Sequence, residues 1–235
     1  SRWMKERVES SPLLRSWPCH VIPFGPEIDR WRLLDRAACR SRLGIPPGAK
    51  ALAFRMPQGH RQHRTKGIPW LREALQRMTL RQPTHLIVFE EKGQLEEFRG
   101  KFSITELGWV GDDAQVAQGL TAADLFIMPS NAESFGMMAL EAMACGTPVV
   151  ASAGTALEAT IRAPSAGAVV PAMDAAGLAS TIERLLADDA QRAILGRRGR
   201  EIVESEHSFD DYVRQHIALY HALIEENAAT RGGTP

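Results

Sequence analysis

Two carboxylates, Glu133 and Glu141, flank a glycine in the stretch Pro129-Ser130-Asn131-Ala132-Glu133-Ser134-Phe135-Gly136-Met137-Met138-Ala139-Leu140-Glu141. Those residue types at that spacing suit a phosphate with a sugar on either side. Gly136 lets a backbone and a ligand approach each other closely. If a helix opens here, the amides of Gly136, Met137 and Met138 lie in its first turn, where unpaired N–H groups and the helix dipole favour an anion. Glu141, further along that helix, could accept hydrogen bonds from vicinal hydroxyls, as the acidic residue of a dinucleotide fold holds a ribose. Glu133, ahead of the helix, could grip a second polyol. An arbitrary Glu-x7-Glu has a plainer alternative, in which Glu133 benefits from the dipole and Glu141 lies on a solvated face.

The elements around this stretch decide whether those groups can meet. An apolar run, 123–128, leads into it, a small-residue helical run, 139–145, leads out, and a second apolar run, 147–151, follows. That is strand, loop, helix, strand, the unit of a parallel α/β sheet. Ligands of open α/β sheets bind at such loops, at the carboxyl ends of the strands. The same alternation recurs along the chain. Strands are expected at 51–54, 85–89, 104–107 and 166–171, and helices at 29–43, 68–78, 114–122, 175–186, 190–204 and 209–226, with a shorter helix at 1–14. Residues 55–66 read as a polar loop, and 228–235 as a disordered tail. The fold class is therefore α/β, a doubly wound, Rossmann-like parallel sheet.

From Pro129 to Ser152 the sequence resembles the donor-site signature of retaining glycosyltransferases of the GT-B fold. That signature runs Pro-Ser, Glu-Ser/Gly-Phe-Gly, then Leu-Glu-Ala-Met-Ala-x-Gly-x-Pro-Val-Val-Ala-Ser. The likeness extends from Trp3 to about Ile224. It implies the C-terminal, donor-binding half of a GT-B fold, transferring a hexose from a nucleoside-diphosphate sugar to an acceptor hydroxyl with retention. By it, Phe135, Gly136, Met137, Met138 and Glu141 bind the donor, and Glu133 positions the sugar. The family's Arg at the end of the first strand and Lys before a Gly, both reaching the diphosphate, fall on Arg55 and Lys66-Gly67. Two fixed cations there would stabilise the charge gained by the leaving diphosphate. The spacing exceeds the usual Arg-x5-Lys, so Arg61 or Arg64 could replace Arg55. Trp109, Val110 and Asp112 sit at the turn that holds the family's base, where Trp109 could equally be a core residue. Glu90 and Glu91 stand where the family has a Gly-rich turn; they could face a sugar or base, but read rather as exposed loop carboxylates. Phe24 replaces the Asn of the family's Ile-Pro-Asn-Gly turn.

The resemblance divides the chain into a hinge segment, 1–25, the end of an acceptor-side domain; a donor-binding domain, 26–207; a crossing helix, 208–227; and the tail. The chain starts at Ser1 without a Met, so an upstream piece is expected. The implied partners are a UDP-, GDP- or ADP-sugar, a glycan or lipid-linked acceptor, and the N-terminal acceptor domain. That domain could bring peripheral membrane association at the cytoplasmic face. No cofactor or metal is expected, since cations and helix amides replace it; His60 and His63 are a weak metal signal. Two further readings stay open: a half-enzyme needing a separate subunit, and a nucleotide-sugar epimerase on the same fold.

Composition is that of an ordinary soluble globular protein. The 235 residues are 44% hydrophobic and 24% charged with zero formal net charge, which gives no electrostatic case for nucleic acid. No run approaches the ~20 apolar residues of a membrane span. Three widely spaced cysteines, Cys19, Cys39 and Cys145, do not make a disulfide framework and fit a reducing cytoplasm.

Overall fold

The computed structural model describes residues 1–232, and of 60–62 and 229–232 the backbone alone. After helix α1 (Arg2–Ser10) and an extended segment, the chain forms α2 (Arg36–Arg42), β1 (Lys50–Met56), α3 (His60–Thr65), α4 (Ile68–Arg77) and β2 (Thr84–Glu90). A single 3-10 turn precedes β3 (Ser103–Gly108), followed by α5 (Asp113–Ala122), β4 (Leu125–Met128), α6 (Met137–Ala144) and β5 (Val149–Ser152). Then come α7 (Leu157–Thr160), β6 (Gly167–Val170), α8 (Ala175–Ala187), α9 (Asp189–Glu206) and α10 (Phe209–Gly232).

The six strands pair in the order β3-β2-β1-β4-β5-β6, and every pairing is parallel. The order reverses between β1 and β4, so a crevice opens beyond their carboxyl ends, the expected ligand position of a doubly wound sheet. Side chains alternate between the two faces, as strand geometry requires. Ala51, Ala53, Ile87, Phe89, Phe126 and Val149 face one core with α5 and α6. Leu52, Phe54, Leu86, Val88, Leu125 and Ile127 face the other, with α4 and α8. Each fully buried Phe or Leu here contributes roughly 1.5–3 kcal/mol over an exposed one.

A buried carboxylate ties the start of β4 to the periphery. Asp124 accepts from Arg36 Nη2 at 2.7 Å, Arg40 Nη2 at 2.6 Å and the Ala51 N–H at 2.7 Å. It fixes β1 against β4 at the end opposite the crevice.

Five expectations change. The opening helix, expected over 1–14, ends at Ser10. The helix expected over 29–43 begins only at Arg36, because Asp35 accepts from the Ala37 and Ala38 N–H groups and caps it there. Residues 55–66 are not wholly loop, since α3 takes up 60–65. The short α7 was not anticipated. The last helix continues to Gly232, through most of the stretch expected to be disordered, because Ala228, Ala229, Thr230 and Arg231 carry no helix breaker. Residues 233–235, the rest of that tail, lie outside the described residues.

Candidate functional site

The site grows from three strand ends. β1 delivers Arg55, β2 delivers Glu90, and β3 ends at Gly108, ahead of Trp109 and Val110. Across the sheet's switch point, β4 delivers Pro129 and Ser130, and the loop after it opens α6. Arg55, Glu90, Trp109, Val110, Asp113, Met137, Met138 and Glu141 line one cavity of about 260 Å³, with Trp31 and Phe89 at its back. A small neighbouring cleft of about 30 Å³ is lined by Arg55, Lys66, Ser130 and Met138. Arg55 and Met138 line both, so the two clefts adjoin.

Gly136 caps α6 in a left-handed conformation, φ 94°, which favours glycine; an added Cβ would meet Leu157 Cδ2 at 2.4 Å. The helical ladder begins with the Ala139 and Leu140 N–H groups donating to Gly136 O. The amides of Met137 and Met138 are thus first-turn groups with no carbonyl of their own helix to meet.

Lys66 and Arg55 are brought together despite their long spacing. α3 absorbs the extra residues, and its last two residues are held to the loop after β4. The Asn131 N–H donates to Thr65 O at 2.8 Å, and Asn131 Nδ2 to Arg64 O at 3.0 Å. Gly67, at φ 75°, passes so close that a Cβ would lie 1.8 Å from Pro129 O. Arg64 sits on α3 and lines neither cleft. The side chains of His60 and Arg61 lie outside the described residues. Among the described residues, no group of three His, Cys, Asp or Glu could hold a metal ion.

Both candidate phosphate cations meet carboxylates. Lys66 Nζ donates to Glu133 Oε2 at 2.6 Å, and Arg55 Nη2 lies 2.5 Å from Glu90 Oε1. Glu141 is half-buried, and burial pushes its carboxyl up to about 7, with Asp113 adding to the rise and Arg55 opposing it.

Several assignments shift. Glu90 is not an exposed loop carboxylate; its side chain is only 11% exposed and lines the cavity. Glu91 is half-buried as well, 3.4 Å from His63 Nε2. Asp112 caps α5, accepting from the Ala114 N–H at 3.0 Å, and lines a separate hollow of about 730 Å³ beside Arg30 and Arg42. That larger hollow carries neither Arg55, Lys66 nor Glu141. Its neighbour Asp113, which the sequence reading passed over, lines both that hollow and the 260 Å³ cavity, and its Oδ2 accepts from Arg30 Nη1 at 3.1 Å. Trp109 is no core residue, being 74% exposed at the cavity's edge. The Phe135 ring lines neither cleft; it packs against Phe24 and His207 with centroids 5.2 and 5.8 Å away. Phe24, in its unusual turn position, also stacks on Tyr212. No helix among the described residues is long and apolar enough to cross a membrane.

Known proteins resemble this chain in sequence and fold. The family model described as glycosyl transferases group 1 matches residues 58–188. A D-inositol 3-phosphate glycosyltransferase of Geodermatophilus obscurus is 34% identical over 225 residues, covering 89% of this chain and 48% of its own length. One of Saccharomonospora viridis is 35% identical over 217 residues, covering 83% and 49%. The chain thus spans about half the length of the curated relatives it matches. Among solved structures, sucrose-phosphate synthase from Thermosynechococcus elongatus superposes with a TM-score of 0.82 at 28% identity, over 96% of this chain and 57% of that one. The C-terminal domain of a glycosyl transferase group 1 family protein from Francisella tularensis superposes at 0.60 and 19% identity, over 78% of this chain and 99% of that one, and shares the fold.

Proposed function

The chain belongs to the glycosyl transferases group 1 family, and from that premise we propose that it is the nucleotide-sugar half of a retaining hexosyltransferase. The carrying observation is the convergence of Arg55, Glu141, the first turn of α6 and the Trp109–Val110 turn on one cavity at the switch point. Glu141 accepts hydrogen bonds from the two ribose hydroxyls. The Met137 and Met138 amides, with Arg55 and Lys66, hold the diphosphate. Trp109 and Val110 flank the base, and Glu133, oriented by Lys66, holds the sugar.

In the reaction the acceptor oxygen bonds to the anomeric carbon as the bond from that carbon to the phosphate oxygen breaks. The electron pair leaves on the diphosphate, where Arg55 and Lys66 stabilise it. The acceptor approaches on the leaving-group face, and the departing phosphate oxygen takes its proton, so no covalent enzyme nucleophile is needed. Fixed cations and helix amides supply the positive charge, and the reading requires no metal.

The acceptor contacts belong to the part of the protein outside this chain, including any route to a lipid-linked acceptor at a membrane. The relatives' name specifies a phosphorylated inositol for them, but the likeness lies in this half and bears on the donor. The test is calorimetric titration of the chain with UDP, GDP and ADP beside a Glu141→Ala variant. Selective binding of one diphosphate, weakened by the variant, is expected. Equal binding by the variant would remove Glu141 from the ribose.

A further inference from the structure

Glu90 is an unusual residue to find where it is. It ends β2 with φ 76°, in the left-handed region that non-glycine residues rarely adopt. That backbone turn sends its side chain into the cavity rather than to solvent. There the carboxylate, 11% exposed, meets the guanidinium of Arg55, itself 43% exposed toward the groove. Met56 lies opposite Glu90 and Arg55 opposite Phe89, so regular alternation would put the two side chains on opposite faces, and the left-handed turn at Glu90 is what lets them meet.

Resting on the donor-binding reading above, we infer that Glu90 is a positioning residue that occupies the phosphate-binding face of Arg55 and competes with the donor's diphosphate for it. The carboxylate takes one guanidinium nitrogen, Nη2, that would otherwise be open to a phosphate. A diphosphate arriving at Arg55 brings negative charge against Glu90 in a partly desolvated site, where like charges repel strongly. Glu90 must give up the guanidinium, in whole or part, before the diphosphate is fully held. Its carboxylate therefore lowers nucleotide affinity while keeping Arg55 aimed into the groove in the empty site. Lys66 is held comparably by Glu133, but Glu133 has its own expected ligand in the sugar, whereas Glu90 has none assigned. A residue of this kind eases product departure, because the nucleoside diphosphate left after transfer is displaced by an anion already in place.

The experiment titrates the whole chain with UDP, GDP and ADP by calorimetry, using wild type, Glu90→Gln, Arg55→Ala and the double variant. Glu90→Gln keeps the shape and removes the charge, and thermal midpoints are recorded to confirm folding. The expected result is nucleotide binding strengthened on the order of tenfold by Glu90→Gln. In the Arg55→Ala background that gain shrinks to near nothing, since the effect runs through the guanidinium. A change in packing alone would persist in both backgrounds. Unchanged or weaker binding by Glu90→Gln, with wild type still binding, overturns the competition and leaves the donor reading intact. A gain that survives the loss of Arg55 overturns it too. If neither wild type nor Glu90→Gln binds any diphosphate, the donor reading itself falls and the inference with it.

Discussion

Replacing Glu141 by glutamine acts on stability and on binding in opposite directions, and both are calculable. Burial raises its carboxyl from the ordinary 4.5 to about 7. The folded state therefore holds the proton more tightly than the unfolded chain. Below about pH 4.5 both states are protonated and there is no penalty. Between about 4.5 and 7 stability falls as pH rises, and above 7 the full cost of an ionised, half-buried carboxylate is present. At 1.36 kcal/mol per pK unit that cost reaches about 3 kcal/mol. Glutamine keeps the shape and never ionises. The variant should be more stable than wild type at pH 8, by up to about 3 kcal/mol or several degrees in Tm, and the gain should vanish near pH 4.5. Binding should move the other way. Losing charge-assisted hydrogen bonds to the ribose hydroxyls costs about 1.5–3 kcal/mol, on the order of 10–150-fold in Kd. Wild type should also release a proton on binding near pH 7, because the hydroxyls favour the ionised form. Denaturation curves from pH 4.5 to 8 and calorimetry in two buffers of different ionisation enthalpy measure all three. A glutamine variant that binds nucleotide as tightly as wild type, or gains nothing at pH 8, refutes the reasoning.

Gly67→Ala should destabilise by at least about 2 kcal/mol by urea midpoint, since it combines a left-handed φ with a Cβ 1.8 Å from Pro129 O, and should weaken nucleotide binding by displacing Lys66. Asp124→Ala takes the buried carboxylate from the Ala51 N–H and from the partly exposed guanidinium groups of Arg36 and Arg40, and should cost about 1–3 kcal/mol in the same assay. Its nucleotide affinity should stay near wild type, because Asp124 lies at the opposite end of the strands.

The strands and most helices were legible because their signal is local. Leu125 to Met128 is an uninterrupted apolar run, and α4 places Ile68, Leu71, Ala74 and Leu75 on one buried face at helical spacing. Glu133, Gly136 and Glu141 were legible because a single strand-loop-helix unit carries them. What failed was competition and pairing. Asp35 was read as one more helical residue, when its side chain ends the argument by accepting two N–H groups. Glu90 was read as solvated because a carboxylate after a strand usually is. Its burial depends on the φ at that residue and on a guanidinium one strand away, neither of which is written in the residues around it. Phe135 was assigned by motif alone, and only the packing of Phe24 and His207 reveals its ring as internal support.

The clamp between the Gly67 and Asn131 loops has a consequence for how this chain can change. Lys66 is placed from downstream, by hydrogen bonds and contact with the segment after β4, rather than by the path the backbone takes from β1. The loop at 57–59, between β1 and α3, is therefore a connector whose two ends are pinned independently. Lengthening a flexible spacer is inexpensive, about 0.6 kcal/mol for each doubling. Insertions in that loop should leave the cation where it is, and that freedom makes this the natural place for the chain to acquire new surface without disturbing the groove beneath.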